Sequence, residues 1–241
     1  MTTGVSMQFR RRPSALAYHL RGLYPSVGLR GVGGCPSIRA RWTNHRVDRR
    51  HLSEFLALTG LDVGHGVPML YPHVFGFPLQ LAVVTHPSFP VPIWRLLQIR
   101  NQFVLHQPIF ERDELNLEIR VAAQRVLEKG VEFDLHTDVS RSGELVWESV
   151  NTFYCRGLFG AGGAASPTAS APPPGDTVVA DWCAGDSSGW RFAALTGDYN
   201  GIHYWSWYAR RLGFRRAFLH PQLALGQCMA HLQPPFPMEP Q

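Results

Sequence analysis

Between residues 115 and 139 apolar and polar side chains alternate with a period of two. Leu115, Leu117, Ile119 and Val121 are interleaved with Asn116, Glu118 and Arg120, and Val131, Phe133, Leu135 and Val139 with Glu132, Asp134, His136 and Asp138. That period predicts strands with one buried and one wet face. Lys129-Gly130 and Ser142-Gly143 supply turns, and Leu97 to His106 and Leu145 to Tyr154 add two further strands. Upstream the period is helical. Asp48 is placed to cap a helix carrying Leu52, Phe55, Leu56 and Thr59, ended by Gly60. A second, more apolar helix follows Pro72 with Val74, Phe77, Leu81 and Val84 in step, and Pro78 is expected to kink rather than abolish it. An apolar helix followed by an antiparallel meander is buried most economically when the sheet wraps around the helix, an α+β arrangement.

The pattern also repeats. Phe55-Leu-Ala-Leu-Thr-Gly60 and Phe192-Ala-Ala-Leu-Thr-Gly197 match at five of six positions with an offset of 137 residues. Leu70-Tyr71-Pro72-His73-Val74 and Leu219-His220-Pro221-Gln222-Leu223 follow in the same order with an offset of 149. Two ordered matches argue for a duplication whose second copy carries twelve more residues between its anchors. The chain therefore divides into a basic segment over 1–44, a first unit over 45–157, an Ala/Gly/Pro-rich linker over 158–176, and the start of a second unit over 177–241. The second unit has its helices and no following strand pattern, so it reads as C-terminally truncated or completed by a partner chain.

Composition narrows the class. With 45% hydrophobic and 17% charged residues, the 241-residue chain can build a core, and wholesale disorder is excluded. No apolar run is long enough to span a membrane. The four cysteines, Cys35, Cys155, Cys183 and Cys228, stand far apart without a CxxC pair, which fits reduced thiols in a cytoplasmic protein and no zinc ribbon. The net charge of +5 is carried almost wholly by arginine, Lys129 being the only lysine. Residues 1–44 hold seven arginines and no acid. That bias is compatible with a nucleic-acid arm, a transit peptide or a margin facing an anionic ligand. No helix-turn-helix, zinc-finger or RRM signature accompanies it, so nucleic acid is not expected as a partner.

Chemistry concentrates in the insertion of the second copy. Asp198, Asn200 and His203 fall within six residues on a Gly-containing loop between two helices. An Asp and a His converging on one water are suited to general acid/base catalysis. Asp198 and Asn200 are equally ordinary turn residues, and His203 an ordinary helix-start histidine. The context distinguishes these readings. The stretch containing Phe192, Thr196, Gly197, Asp198, Asn200, Ile202, His203, Tyr208, Ala209, Gly213, Phe214 and His220 resembles the signature of the MaoC-like acyl-thioester dehydratases and (R)-specific enoyl-CoA hydratases. Tyr71-Pro72-His73-Val74 with Phe77-Pro78-Leu79 resembles the degenerate first unit of the two-unit members, so the likeness covers about residues 45 to 232.

The resemblance implies a hot-dog fold, here a double hot-dog with an incomplete second unit. It implies a hydro-lyase of fatty acid metabolism: water addition to a trans-2-enoyl thioester, or dehydration of a 3-hydroxyacyl thioester, with CoA or acyl carrier protein as the thiol. Asp198 and His203 would be catalytic, and Asn200, His220 and Gln222 would bind substrate, with neither metal nor cofactor. Three departures stand out: Gly201 in place of proline, Trp205 in place of an aspartate, and Pro221 in place of the glycine after His220. Proline offers no N–H to an oxyanion, so the Gln222 amide would have to serve. Together with the missing strands, this keeps open a homologue of impaired activity that binds acyl thioesters or a partner subunit, including another copy of itself.

Overall fold

The computed structural model describes residues 4–23, 35–167, 178, 180–185 and 187–232. One six-stranded sheet dominates, built from β1 (Val5–Phe9), β2 (Ile38–Arg46), β3 (Leu96–Leu105), β4 (Glu114–Leu127), β5 (Gly130–Arg141) and β6 (Glu144–Arg156). The spatial order is β1-β2-β4-β5-β6-β3, antiparallel throughout except for the parallel β1–β2 pair. The β5–β6 turn uses Ser142 and Gly143 at φ 52° and 89°, which makes the tight reversal that Ser-Gly predicts.

The inner face of this sheet closes on helix α3 (Tyr71–Val84), all fourteen residues of which are buried. Leu115, Leu117, Ile119, Phe133, Leu135, Val139 and Trp147 line that face with no exposed surface. The helix runs through Pro78 without interruption. Its one buried imidazole, His73, lies within 3.3 Å of the Gln80 amide nitrogen and 3.4 Å of that of Asn151, and burial lowers its pKa to about 4. This is the α+β hot-dog architecture, a sheet wrapped on a central helix.

The expected boundary at residue 44 is corrected by the structure. The alternation Ile38-Arg39-Ala40-Arg41-Trp42 is a strand: Ile38, Ala40 and Trp42 are core, while Arg39 and Arg41 reach Glu118 on β4. Helix α1 (Ala15–Arg21) packs on α3, and Arg21 binds Thr85 Oγ1 at 3.0 Å. Most of the described basic segment is therefore part of the sheet and its flank. Of the expected linker, residues 158–167 are irregular chain, and the remainder lies outside the described residues.

The two matching hexamers are closed in the same way. Helix α2 (Arg49–Thr59) opens with Asp48 accepting from the backbone N–H of Arg50 and His51, and closes at Gly60 with φ 76°. Helix α4 (Ser188–Thr196) closes at Gly197 with φ 83°. In both, the final threonine hydroxyl donates to the carbonyl four residues back, Thr59 to Phe55 at 2.8 Å and Thr196 to Phe192 at 3.0 Å. Helix α2 packs on α4 and on α6 (Pro221–Leu232), while α4 packs on α3, so each unit's short helix covers the other's long one. Glu54 and Arg191, equivalent positions 137 residues apart, meet across that junction at 2.8 Å.

The two long helices differ in burial. In α6 only Gln222, Leu223 and Gly226 are buried, and among the described residues no strand follows it. Gly226 is where α6 closes onto α2: a Cβ there would stand 2.6 Å from Thr59 Cγ2.

Candidate active site

The loop between α4 and α6 is wound by its own side chains. Thr196 Oγ1 accepts from the Asp198 amide at 3.0 Å, Asp198 Oδ1 from the Asn200 amide at 3.2 Å, and Asn200 Oδ1 from the Ile202 amide at 3.2 Å. Asn200 thereby caps the 3₁₀ turn Gly201–His203. These successive turns leave Asp198 Oδ2 facing His203 Nε2 at 3.8 Å. His203 Nδ1 lies 3.0 Å from the Phe218 carbonyl oxygen, which can only accept. Nδ1 therefore carries the proton, and Nε2 turns a lone pair toward the gap before Asp198.

Behind this pair lies His220. Its ring stacks on that of His203 with centroids 3.8 Å apart, and it is fully buried. Its Nε2–H donates to the Asp198 carbonyl oxygen at 3.0 Å, and the Tyr204 hydroxyl donates to the same oxygen at 3.3 Å. His220 Nδ1 is buried without a hydrogen-bond partner. Burial, reinforced by His203, lowers the His220 pKa to about 4 and keeps the ring neutral.

Asp198, Asn200 and His203 form the polar end of a cavity of about 470 Å³. Its walls are apolar: Phe77 and Leu81 come from α3, Leu97 and Phe153 from the sheet, and Phe214 and Phe218 from the loop before α6. Gln222 also lines it, its side chain donating to Gln98 on β3. Because Pro221 opens α6 without an N–H, the Gln222 amide is the first that this helix turns outward. His220 does not line the cavity, so the expectation that it touches substrate is corrected: it supports the loop from below. Asp198, His203 and His220 do bring ligand atoms within 4.8 Å of one another. The His220 nitrogens, however, face a backbone carbonyl and the interior, which leaves only two donors for an ion.

Two departures in the motif are a matched pair. A Cβ at Gly201 would lie 2.8 Å from Trp205 Cε3 and 3.1 Å from Tyr208 Cδ1, so the indole occupies space that a residue other than glycine would need. Three further residues, none of them a candidate from the motif, hold the site. His19 on α1 bonds the Gly197 carbonyl through Nε2 at 2.7 Å, Tyr204 bridges the Gly189 and Asp198 carbonyls, and Gln98 holds Gln222. No local motif around His19 signals this role, and Tyr204 immediately follows the motif histidine.

No family model matches the chain. Over 191 residues, 79% of this chain and 68% of the relative, it is 27% identical to the 3-hydroxyacyl-thioester dehydratase X of Mycobacterium tuberculosis. A crystal structure of HtdX from that organism, 26% identical, matches with a TM-score of 0.63 over 80% of this chain and 77% of the other. A MaoC-like dehydratase from Phytophthora capsici, 17% identical, shares the fold with a TM-score of 0.61 over 86% and 77% of the two chains. In sequence and in architecture, the chain is therefore similar to the MaoC-like dehydratases.

Proposed function

We propose that the chain adds water to trans-2-enoyl thioesters, or in reverse dehydrates 3-hydroxyacyl thioesters, at the Asp198–His203 pair. The observation that carries this reading is the 3.8 Å gap between His203 Nε2 and Asp198 Oδ2, both of which line a largely apolar cavity. The gap is too long for a direct hydrogen bond and suits one water held by both groups. In hydration the water oxygen bonds C3 of the enoyl chain while His203 Nε2 takes one of its protons. The pair of electrons displaced from the double bond moves toward the thioester oxygen. A proton then returns from the pair to C2, and the second water hydrogen stays on the new hydroxyl. Asp198 stabilises the transient imidazolium, and the Gln222 amide is the donor available to the thioester oxygen. The apolar walls would hold the acyl chain, with CoA or acyl carrier protein as the thiol outside.

The likeness to a 3-hydroxyacyl-thioester dehydratase supports the reaction class. The half-exposed α6 supports a partner, either a second copy or another chain, that covers this helix. A cytoplasmic location is proposed on the four free cysteines. Among the described residues no helix is long and apolar enough to cross a membrane. Pro221 favours a second reading, an acyl-thioester-binding homologue without turnover. Purified protein given crotonyl-CoA decides: loss of the enoyl absorbance supports the hydratase, thermal stabilisation without turnover selects the binding protein, and neither response rejects both.

A further inference from the structure

The outer face of the sheet carries a second group of titratable side chains, remote from the cavity. The register of β4, β5 and β6 sets Glu118, Asp138 and Glu148 side by side. Like charges on neighbouring strands, about 4.8 Å apart, repel and need compensation. Glu118 has it from Arg39 and Arg41, and Asp138 from Arg120 at 2.5 Å. Glu148 has no arginine or lysine among the described residues. Its two oxygens are met instead by imidazoles, Oε1 by His106 Nε2 and Oε2 by His136 Nε2, each at 3.0 Å.

His136 stands between two carboxylates. Its Nδ1, buried and without a hydrogen bond, lies 3.3 Å from Asp138 Oδ1. A neutral imidazole has one N–H and one lone pair, so one of its nitrogens faces a carboxylate oxygen with nothing to give. A positive charge between these groups, either a second ring proton or a bound cation, completes the arrangement. We propose that a divalent transition-metal ion of the zinc class supplies it, bound by His136, Asp138 and Glu148, with His106 orienting the second oxygen of Glu148.

The three residues bring ligand atoms within 4.8 Å of one another. Two donors on tetrahedral zinc stand about 3.3 Å apart, close to the 3.0 Å between His136 Nε2 and Glu148 Oε2. The other donor pairs lie within 4.8 Å, and side-chain rotation has to close that gap for all three to meet one ion. One imidazole with two carboxylates suits zinc or its neighbours better than calcium or magnesium, which take oxygen ligands. The hydrogen-bonding His106 is the kind of outer partner that fixes a ligating carboxylate. Because the side chains are partly exposed, the ion has access from solvent and keeps a position for water.

Isothermal titration of zinc chloride into the full chain, in a buffer free of chelators, tests the site. The expected result is one zinc bound here per chain, with His136→Ala and Glu148→Gln each weakening it about tenfold or more, and with His203→Ala leaving it intact. Absence of binding overturns the proposal, as does binding unchanged in both outer-face variants or lost only in His203→Ala. Circular dichroism checks folding, and should His136→Ala fail to fold, the shape-preserving Glu148→Gln carries the test.

Discussion

Replacing His220 by phenylalanine separates a supporting role from a substrate contact. The ring is fully buried, stacked on His203, and donates one hydrogen bond to the Asp198 carbonyl. Phenylalanine keeps the volume and the stack and removes the donor. That bond is worth about 1 kcal/mol, and the carbonyl is not orphaned because the Tyr204 hydroxyl still reaches it at 3.3 Å. Against this, the unpartnered Nδ1 disappears, and an unsatisfied buried acceptor costs about 1–3 kcal/mol. At neutral pH the balance lies between zero and about 2 kcal/mol in favour of the variant, which should be at least as stable as wild type.

The pH dependence gives this argument its sign. His220 has a folded pKa of about 4, below the unfolded value, so the unfolded chain binds more protons and stability falls as pH drops from about 6.5 toward 4. Between pH 7 and pH 5 this group alone removes about 2 kcal/mol from the wild type, and His220→Phe should be spared that loss. Urea titrations at both pH values read the difference. In crotonyl-CoA hydration the loosened Asp198 backbone should lower kcat about a hundredfold with little change in KM. A raised KM with unchanged kcat would refute the reasoning and return His220 to the substrate surface.

Three further outcomes follow from the packing. Gly197→Ala forces an L-residue into φ 83° at about 1–2 kcal/mol and sets its Cβ 2.3 Å from that of Ala15; Ala15→Gly in the same chain should recover the second part only, as a urea double-mutant cycle would show. Leu117→Ala, in the fully buried layer against α3, should cost about 2–5 kcal/mol, seen as a lower urea midpoint at constant m-value. Exchanging Glu54 and Arg191, both half exposed, should change thermal stability by less than about 1 kcal/mol, because the pair marks the junction without holding it.

Much of this fold is legible in residue order. Asp48 and Gly60 bound α2 because capping chemistry is local, and the strands over 115–139 are announced by alternation that only a one-sided sheet requires. The Asp198-Asn200-His203 loop is legible for the same reason, since its hydrogen bonds run between residues two apart. What sequence order conceals is long-range. Arg39 and Arg41 look like part of a basic arm until Glu118, far along the chain, is placed beside them. The parallel β1–β2 edge has no local turn to announce it. His220 looks like a surface ligand until the stack on His203 turns it inward. The Gly201–Trp205 contact explains two departures that seem unrelated when read singly.

The central claim is that Asp198 and His203 together activate one water against an enoyl thioester. It is tested most directly by kcat/KM for crotonyl-CoA hydration in wild type, Asp198→Asn and His203→Ala, each first shown to be folded by circular dichroism. The account predicts measurable hydration by the wild type and a loss of about a thousandfold in each variant. Equal activity in all three proteins would contradict it.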